Sequence, residues 1–109
     1  MWVVEANLKE GMRHIYKKRV FYIDEDSWNI VLADSYDNRD QLWRIVMAHP
    51  YPVYQVLYMQ PGMTAYYDLQ SRRYLVQQMA NEEPTFFDYD TQGDEEDFTP
   101  AAMRRLGRR

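Results

Sequence analysis

"FYIDEDSWNI", residues 21–30, sets an aromatic and apolar run before three acids and a second such run after them. Asp24, Glu25 and Asp26 could be paired carboxylates for acid/base work, or they could mark a chain reversal. Successive residues of a strand point to opposite faces, so three consecutive acids in a strand would not converge on one substrate. Alternating runs joined by a short polar segment are instead the grammar of a β-hairpin. The stretch therefore predicts two antiparallel strands. Asp24 should accept backbone N–H groups across the turn, with hydration keeping the pKa values of the three acids ordinary.

Outward from that hairpin, period-two alternation continues in both directions. "WVVEANLKE" puts Trp2, Val4, Ala6 and Leu8 on one face, and a turn at Gly11 leads into a long strand, "RHIYKKRVFYI". "WNIVLADSY" aligns Trp28, Ile30 and Leu32; "QLWRIVMAH" is a fourth strand; "MTAYYDLQ" and "RRYLVQQM" form a final pair. Polar joints at residues 25–27, 36–41 and 69–73 separate them. Pro50 and Pro52 cannot donate to a ladder, so strand four should stop near His49, with Val53–Met59 extended or at an edge. "FYIDEDSWNIV" and "YYDLQSRRYLV" echo each other: aromatic, Asp, short polar turn, aromatic, aliphatics. Consecutive strands tend to be neighbours, so the expected fold is mainly β, a curved antiparallel meander.

After Met79 the alternation fails. Residues 81–98 read as an extended acidic arm, and residues 99–109 as a short helix and tail within the same domain as the 1–80 sheet module. Thr99 should be the N-cap, Pro100 the first helical residue and Gly107 the stop, with Ala101 and Met103 docking the helix and the terminal Arg pair fraying. Residues 1–80 hold nine acids and nine bases, whereas residues 81–109 hold eight acids and four Arg, so the net charge of −4 resides in the tail. A neutral body has no global reason to seek nucleic acid. With no Cys, disulfides and thiolate chemistry are excluded. No apolar run is long enough to span a bilayer as a helix. No leader peptide is visible, and native sequence is expected to precede Met1.

Catalytic and metal equipment is sparse. "DYDTQGDEE", residues 88–96, has the first half of a calcium-loop spacing in Asp88, Asp90, Gln92 and Gly93, but Thr99 stands where the bidentate Glu belongs. His14 and His49 have no partner at zinc-ligand spacing. Ser27, Ser35 and Ser71 lie in or near turns without a nucleophile-elbow motif. The expectation is no enzyme, no catalytic residue, no metal and no cofactor. In "RHIYKKR", residues 13–19, alternation places Arg13, Lys17 and Arg19 on one strand face, either solvated or in contact with anionic lipid headgroups.

The aromatic and Met residues are the strongest signal. Either these residues are core, or a single curved sheet with one small helix leaves apolar surface to be covered by missing native sequence, by another subunit or by an apolar ligand. As ligand lining, Trp28, Ile30, Leu32, Trp43, Met47 and Tyr67 are the candidates. A one-residue error in strand phase would move each to the other face.

"WVVEANLKEGMRHIYKKRVFYIDEDSWNIVLADSYDNRDQLWR", "YYDLQSRRYLVQQM" and the closing "FTPAAMRRLGRR" together resemble the C-terminal part of a bacterial domain-of-unknown-function family labelled outer membrane lipoprotein-sorting protein. Arg19, Tyr22, Asp24 and Trp28 fall in its motif "KRVFYIDEDSW", which an Asp-containing turn and "QLWR" follow. The resemblance implies a half-barrel similar to the LolA/LolB lipoprotein carriers, with an apolar cavity for acyl chains and no established catalytic residues. It implies a periplasmic or outer-membrane-associated protein that binds a lipid or other hydrophobic ligand, beside an envelope transporter or lipoprotein. A fragment of such a half-barrel would have bare strand edges and should form homo-oligomers. The alternative is a structural, protein-interaction β-module with no small ligand.

Overall fold

The computed structural model describes residues 1–84 and 87–107. Six strands make one antiparallel sheet: β1 (Trp2–Asn7), β2 (Lys18–Ile23), β3 (Ile30–Tyr36), β4 (Leu42–Ala48), β7 (Thr64–Asp68) and β8 (Arg73–Gln77), in that spatial order. Between β4 and β7 the chain leaves the sheet to form a small hairpin, β5 (Tyr51–Val53) with β6 (Tyr58–Gln60). The expected meander is therefore present, with one excursion. The prolines do end strand four, at Ala48, and Pro52 sits in β5 opposite Met59. The extended segment expected at Val53–Met59 is instead a two-strand turnback. Gly62 lets the chain return beside β4, because a Cβ there would lie 2.4 Å from the His49 carbonyl oxygen.

The second strand is shorter than the alternation suggested. Residues 8–17 form a loop closed by Leu8 N–H on the Lys17 carbonyl (2.9 Å) and Lys17 N–H on the Tyr36 carbonyl (3.0 Å). Its "RHIYK" run mimics strand periodicity, but the Tyr16 N–H bonds to His14 Nδ1 (3.0 Å) rather than to a ladder. Arg13 and Lys17 therefore share no strand face with Arg19.

The hairpin at 21–30 forms as expected. Asp24 Oδ2 accepts from the Ser27 N–H (2.8 Å) and the Ser27 hydroxyl (2.6 Å). Those bonds favour the anion, with the Ser27 hydroxyl foremost, so the Asp24 carboxyl lies below its usual range rather than at it. Asp68 repeats the device, accepting the Ser71 N–H at 2.8 Å. The residue after each Ser adopts the left-handed conformation, Trp28 at φ 58° and Arg72 at φ 55°. The echo in the sequence is thus one turn design used twice.

The helix α1 spans Pro100–Leu106, with Thr99 as N-cap accepting from Ala102 N–H (3.2 Å) and Gly107 as C-cap. A single 3-10 turn, Glu95–Phe98, precedes it and ends the acidic arm. Ala102, not Ala101 or Met103, is the buried residue, and Met103 is 74% exposed. The docking face is thus rotated from the one expected. Arg108 and Arg109, expected to fray, lie outside the described residues, as do residues 85 and 86 of the arm.

Little is sealed inside. Among the described residues the buried non-glycine positions are Val53, Ala65, Ala102, Ser35 and Asp37, and no large side chain is fully buried. The accessible surface is 9663 Å², against about 6,400 Å² for a compact monomer of this mass. The radius of gyration is 18.1 Å, against about 13 Å. The sheet is open, not closed.

Candidate functional site

Register across the strands decides which residues meet. On one face, Val4, Phe21, Ala33, Val46, Tyr66 and Leu75 are successive cross-strand partners from β1 to β8, an unbroken apolar row. Two residues along each strand lies a second row on the same face: Ala6, Arg19, Ser35, Arg44, Asp68 and Arg73. The rows are about 7 Å apart, and each crosses the sheet at about 4.8 Å per strand. From β2 to β8 every member of both rows lines one open trough, a cavity of about 750 Å³. Half of its floor is apolar and half is polar, the polar half carrying three arginines, a serine and an aspartate.

The polar end is tightly bonded. Asp68 Oδ2 accepts from the Arg44 guanidinium (Nε, 3.1 Å) and from the Trp43 indole N–H (3.1 Å). Arg44 Nη1 also donates to the Tyr16 hydroxyl at 2.9 Å. The Ser71 N–H is the largest cause holding the Asp68 carboxyl down at about 2, with Arg44 and Trp43 adding to it. The Tyr16 hydroxyl and Asp68 together push the Arg44 guanidinium further up. Trp43 reaches Asp68 because of a bulge: Tyr36 pairs with Leu42 and Ser35 with Arg44, leaving Trp43 as the extra residue. The Tyr16 ring meets Trp43 edge-on at 5.7 Å, so the 8–17 loop closes this end of the trough.

Arg19 and Arg73 are held differently. The Arg19 guanidinium lies over Phe21 (5.6 Å) and Tyr16 (6.0 Å). Arg73 is the cross-strand partner of Asp68. Among the described residues no carboxylate comes within ion-pair distance of either guanidinium.

The six residues expected to line a ligand do not converge. Leu32 and Met47 are direct partners on the face opposite the trough. Tyr67 belongs to that face by register and leans on Tyr74 at 6.4 Å, yet it also lines the trough, the one of the six that does among the described residues. A second bulge, between Tyr22 and Ile23, makes Ile30 partner Ile23, so Ile30 and Leu32 are on opposite faces rather than aligned. Trp28 sits in the turn, 69% exposed, stacked on Trp2 at 6.4 Å. Trp43 stands at the polar rim. The trough's own wall, Phe21, Ala33, Val46, Tyr66 and Leu75, was missed because the strand phase is one residue away from that of Leu32 and Met47. Trp43 as the extra, unpaired residue was the available signal only once β3 and β4 had been paired.

The other sequence candidates resolve into local bonds. Asp88 accepts from the Asp90 N–H (3.0 Å) and the Thr91 hydroxyl (2.7 Å), so the calcium-like spacing folds onto itself. His49 Nδ1 lies 3.2 Å from the Met63 carbonyl. Among the described residues no group of three or more His, Asp or Glu side chains converges.

An open antiparallel sheet with an apolar trough on one face is the wall of a half-barrel. The chain belongs to the family Protein of unknown function (DUF1329), which it matches over residues 1–104. It is 46% identical over 107 residues to an uncharacterised protein of Pseudomonas aeruginosa, which covers 98% of this chain and 24% of that protein. Among solved structures it is similar to a DUF1329 family protein from Desulfovibrio piger, with a TM-score of 0.62 and 16% identity over 92% of this chain and 39% of that one. It is also similar to a domain named for outer membrane lipoprotein sorting from Vibrio parahaemolyticus, with a TM-score of 0.58 and 18% identity over 94% of this chain and 41% of that one. The chain thus spans about a quarter of its relative and two-fifths of each solved structure, and the fold class expected from the sequence is the one these structures share.

Proposed function

We propose that this chain is a non-catalytic module of a cell-envelope protein, one that holds a lipid, a lipoprotein acyl chain or another hydrophobic ligand in its trough. The observation that carries this reading is the unbroken apolar row over an uncovered cavity of about 750 Å³. From Phe21 to Leu75 the row crosses four strand intervals, about 19 Å. One leaflet's acyl chains occupy about 15 Å, so a single chain fits along it. Capture is passive: each methylene withdrawn from water contributes about 0.8 kcal/mol. The fold shared with the lipoprotein-sorting domain supports a periplasmic or outer-membrane-associated setting, beside a transporter or lipoprotein that delivers or accepts the ligand.

A second reading, a protein-interaction module with no ligand, is favoured by the bare outer edges of β1 and β8. All six residues of β1 are exposed, and such edges recruit further strands. Native mass spectrometry after gentle extraction separates the two. A mass increment that chloroform–methanol extraction identifies as lipid is the expected result; a ligand-free homodimer would favour the second reading instead.

A further inference from the structure

We propose that the trough selects amphiphiles with an anionic head, which Arg19 at one end or Arg73 at the other binds while the tail lies on the Phe21–Leu75 row between them; this rests on the hydrophobic-ligand reading above. The polar row carries three arginines and one aspartate in a chain whose net charge is −4. The polar row is therefore locally net positive, against the overall balance of the molecule. Arg44 is spoken for, neutralised by Asp68 and tied to Tyr16. Arg19 and Arg73 are the cations left over. They stand on β2 and β8, on either side of the Arg44–Asp68 pair, each next to an apolar residue of the neighbouring row.

This is a poor arrangement for a wholly apolar guest. Sealing the trough with hydrocarbon would strip water from two guanidinium groups that no carboxylate of the described residues pairs, which is costly unless an anion replaces the water. It is a good arrangement for a phosphate or carboxylate head. The planar fork of arginine matches both oxyanions and can bind them in pairs of parallel hydrogen bonds. The head and tail requirements are met about 7 Å apart, within one molecule's reach. A phosphate without a tail would use only the polar row.

The test titrates the 109-residue chain with lysophosphatidylglycerol and with a chain-matched, phosphate-free monoacylglycerol, both below aggregation, reading binding by calorimetry. Inorganic phosphate and glycerol 3-phosphate serve as tailless competitors. The wild type should bind the anionic lipid about tenfold tighter than the neutral one, and neither tailless anion should displace it. In Arg19→Gln/Arg73→Gln the preference should vanish with monoacylglycerol affinity unchanged; Arg19→Lys/Arg73→Lys should keep part of it. Equal affinity for the two lipids in the wild type, or a preference that survives in the glutamine variant, overturns the headgroup proposal and leaves the hydrophobic-ligand reading standing. Displacement by free phosphate overturns it in favour of a tailless anion site. Failure to bind either lipid overturns both readings.

Discussion

At the scale of single residues, short aspartates do much of the organising. Asp24, Asp37, Asp68 and Asp88 each accept backbone N–H groups two to four residues ahead, which is how the chain reverses without unsatisfied donors. Asp37 goes further: it is buried, and its other oxygen accepts from Gln70 at 2.9 Å, tying the β3–β4 turn to the β7–β8 turn. These turns were legible in advance, because Asp followed by small polar residues between apolar runs has a local cause. The roles of Asp68 beyond its turn were not. Its bonds to Trp43 and Arg44 span 25 and 24 residues of sequence and depend on register. Asp68 titrates at about 2 in the folded chain, below the 3.8 of a free carboxyl. A depressed folded pKa stabilises above the unfolded value and is lost as pH falls through the folded one. The contribution is therefore fully present above about pH 4 and lost toward about pH 2. Thermal melts should fall across that window, and the fall should be shallower in Asp68→Asn, which lacks the charge but keeps an oxygen for Ser71. An identical acid limb in variant and wild type would mean that Asp68 is not a source of the acid sensitivity.

At the scale of elements, what could be foreseen followed whether the cause was local. The start and stop of the helix were legible from Thr99, Pro100 and Gly107, since capping needs only neighbours, while its buried face was not. Strand existence was legible from alternation, but strand phase was not. A bulge inserts one residue without changing composition, yet it reverses the face of everything beyond it. Val31 and Trp43 are those inserted residues, and they explain why Ile30 parts from Leu32 and why Trp43 reaches Asp68. Likewise, the arginine row could not be foreseen, because Arg19, Arg44 and Arg73 fall on one row only through four strand pairings. The cap offers a clean test of an element's autonomy. Thr99→Ala removes the acceptor for the Ala102 N–H and should weaken α1 by about 1 kcal/mol. Among the described residues the helix neighbours its own 3-10 turn and no strand. Hydrogen exchange should therefore quicken about fivefold in residues 101–106 and stay unchanged in β2–β4; quickening in both would show that helix and sheet open as one unit.

At the scale of the whole molecule, the surface excess of about 3,000 Å² over a compact monomer connects stability to occupancy. Denaturant sensitivity scales with the surface exposed on unfolding, and a chain that hides little has little left to expose. The lone chain in dilute solution should therefore unfold in urea with a slope near 1 kcal/mol/M, at the low end for small domains. Two routes would steepen it. If copies cover each other's faces, slope and midpoint should both rise with protein concentration. If an amphiphile fills the trough, the midpoint should rise with ligand at fixed protein concentration, by about 2.7 kcal/mol of stability at a hundredfold excess over Kd. Equilibrium unfolding across both series, with sedimentation velocity at each protein concentration, distinguishes them. A steep slope in a dilute, ligand-free monomer would mean that the open sheet closes on itself in solution, leaving no trough for either occupant. A shallow slope that steepens only with lysophosphatidylglycerol would connect the uncovered face, the apolar row and the two arginines as parts of one binding surface.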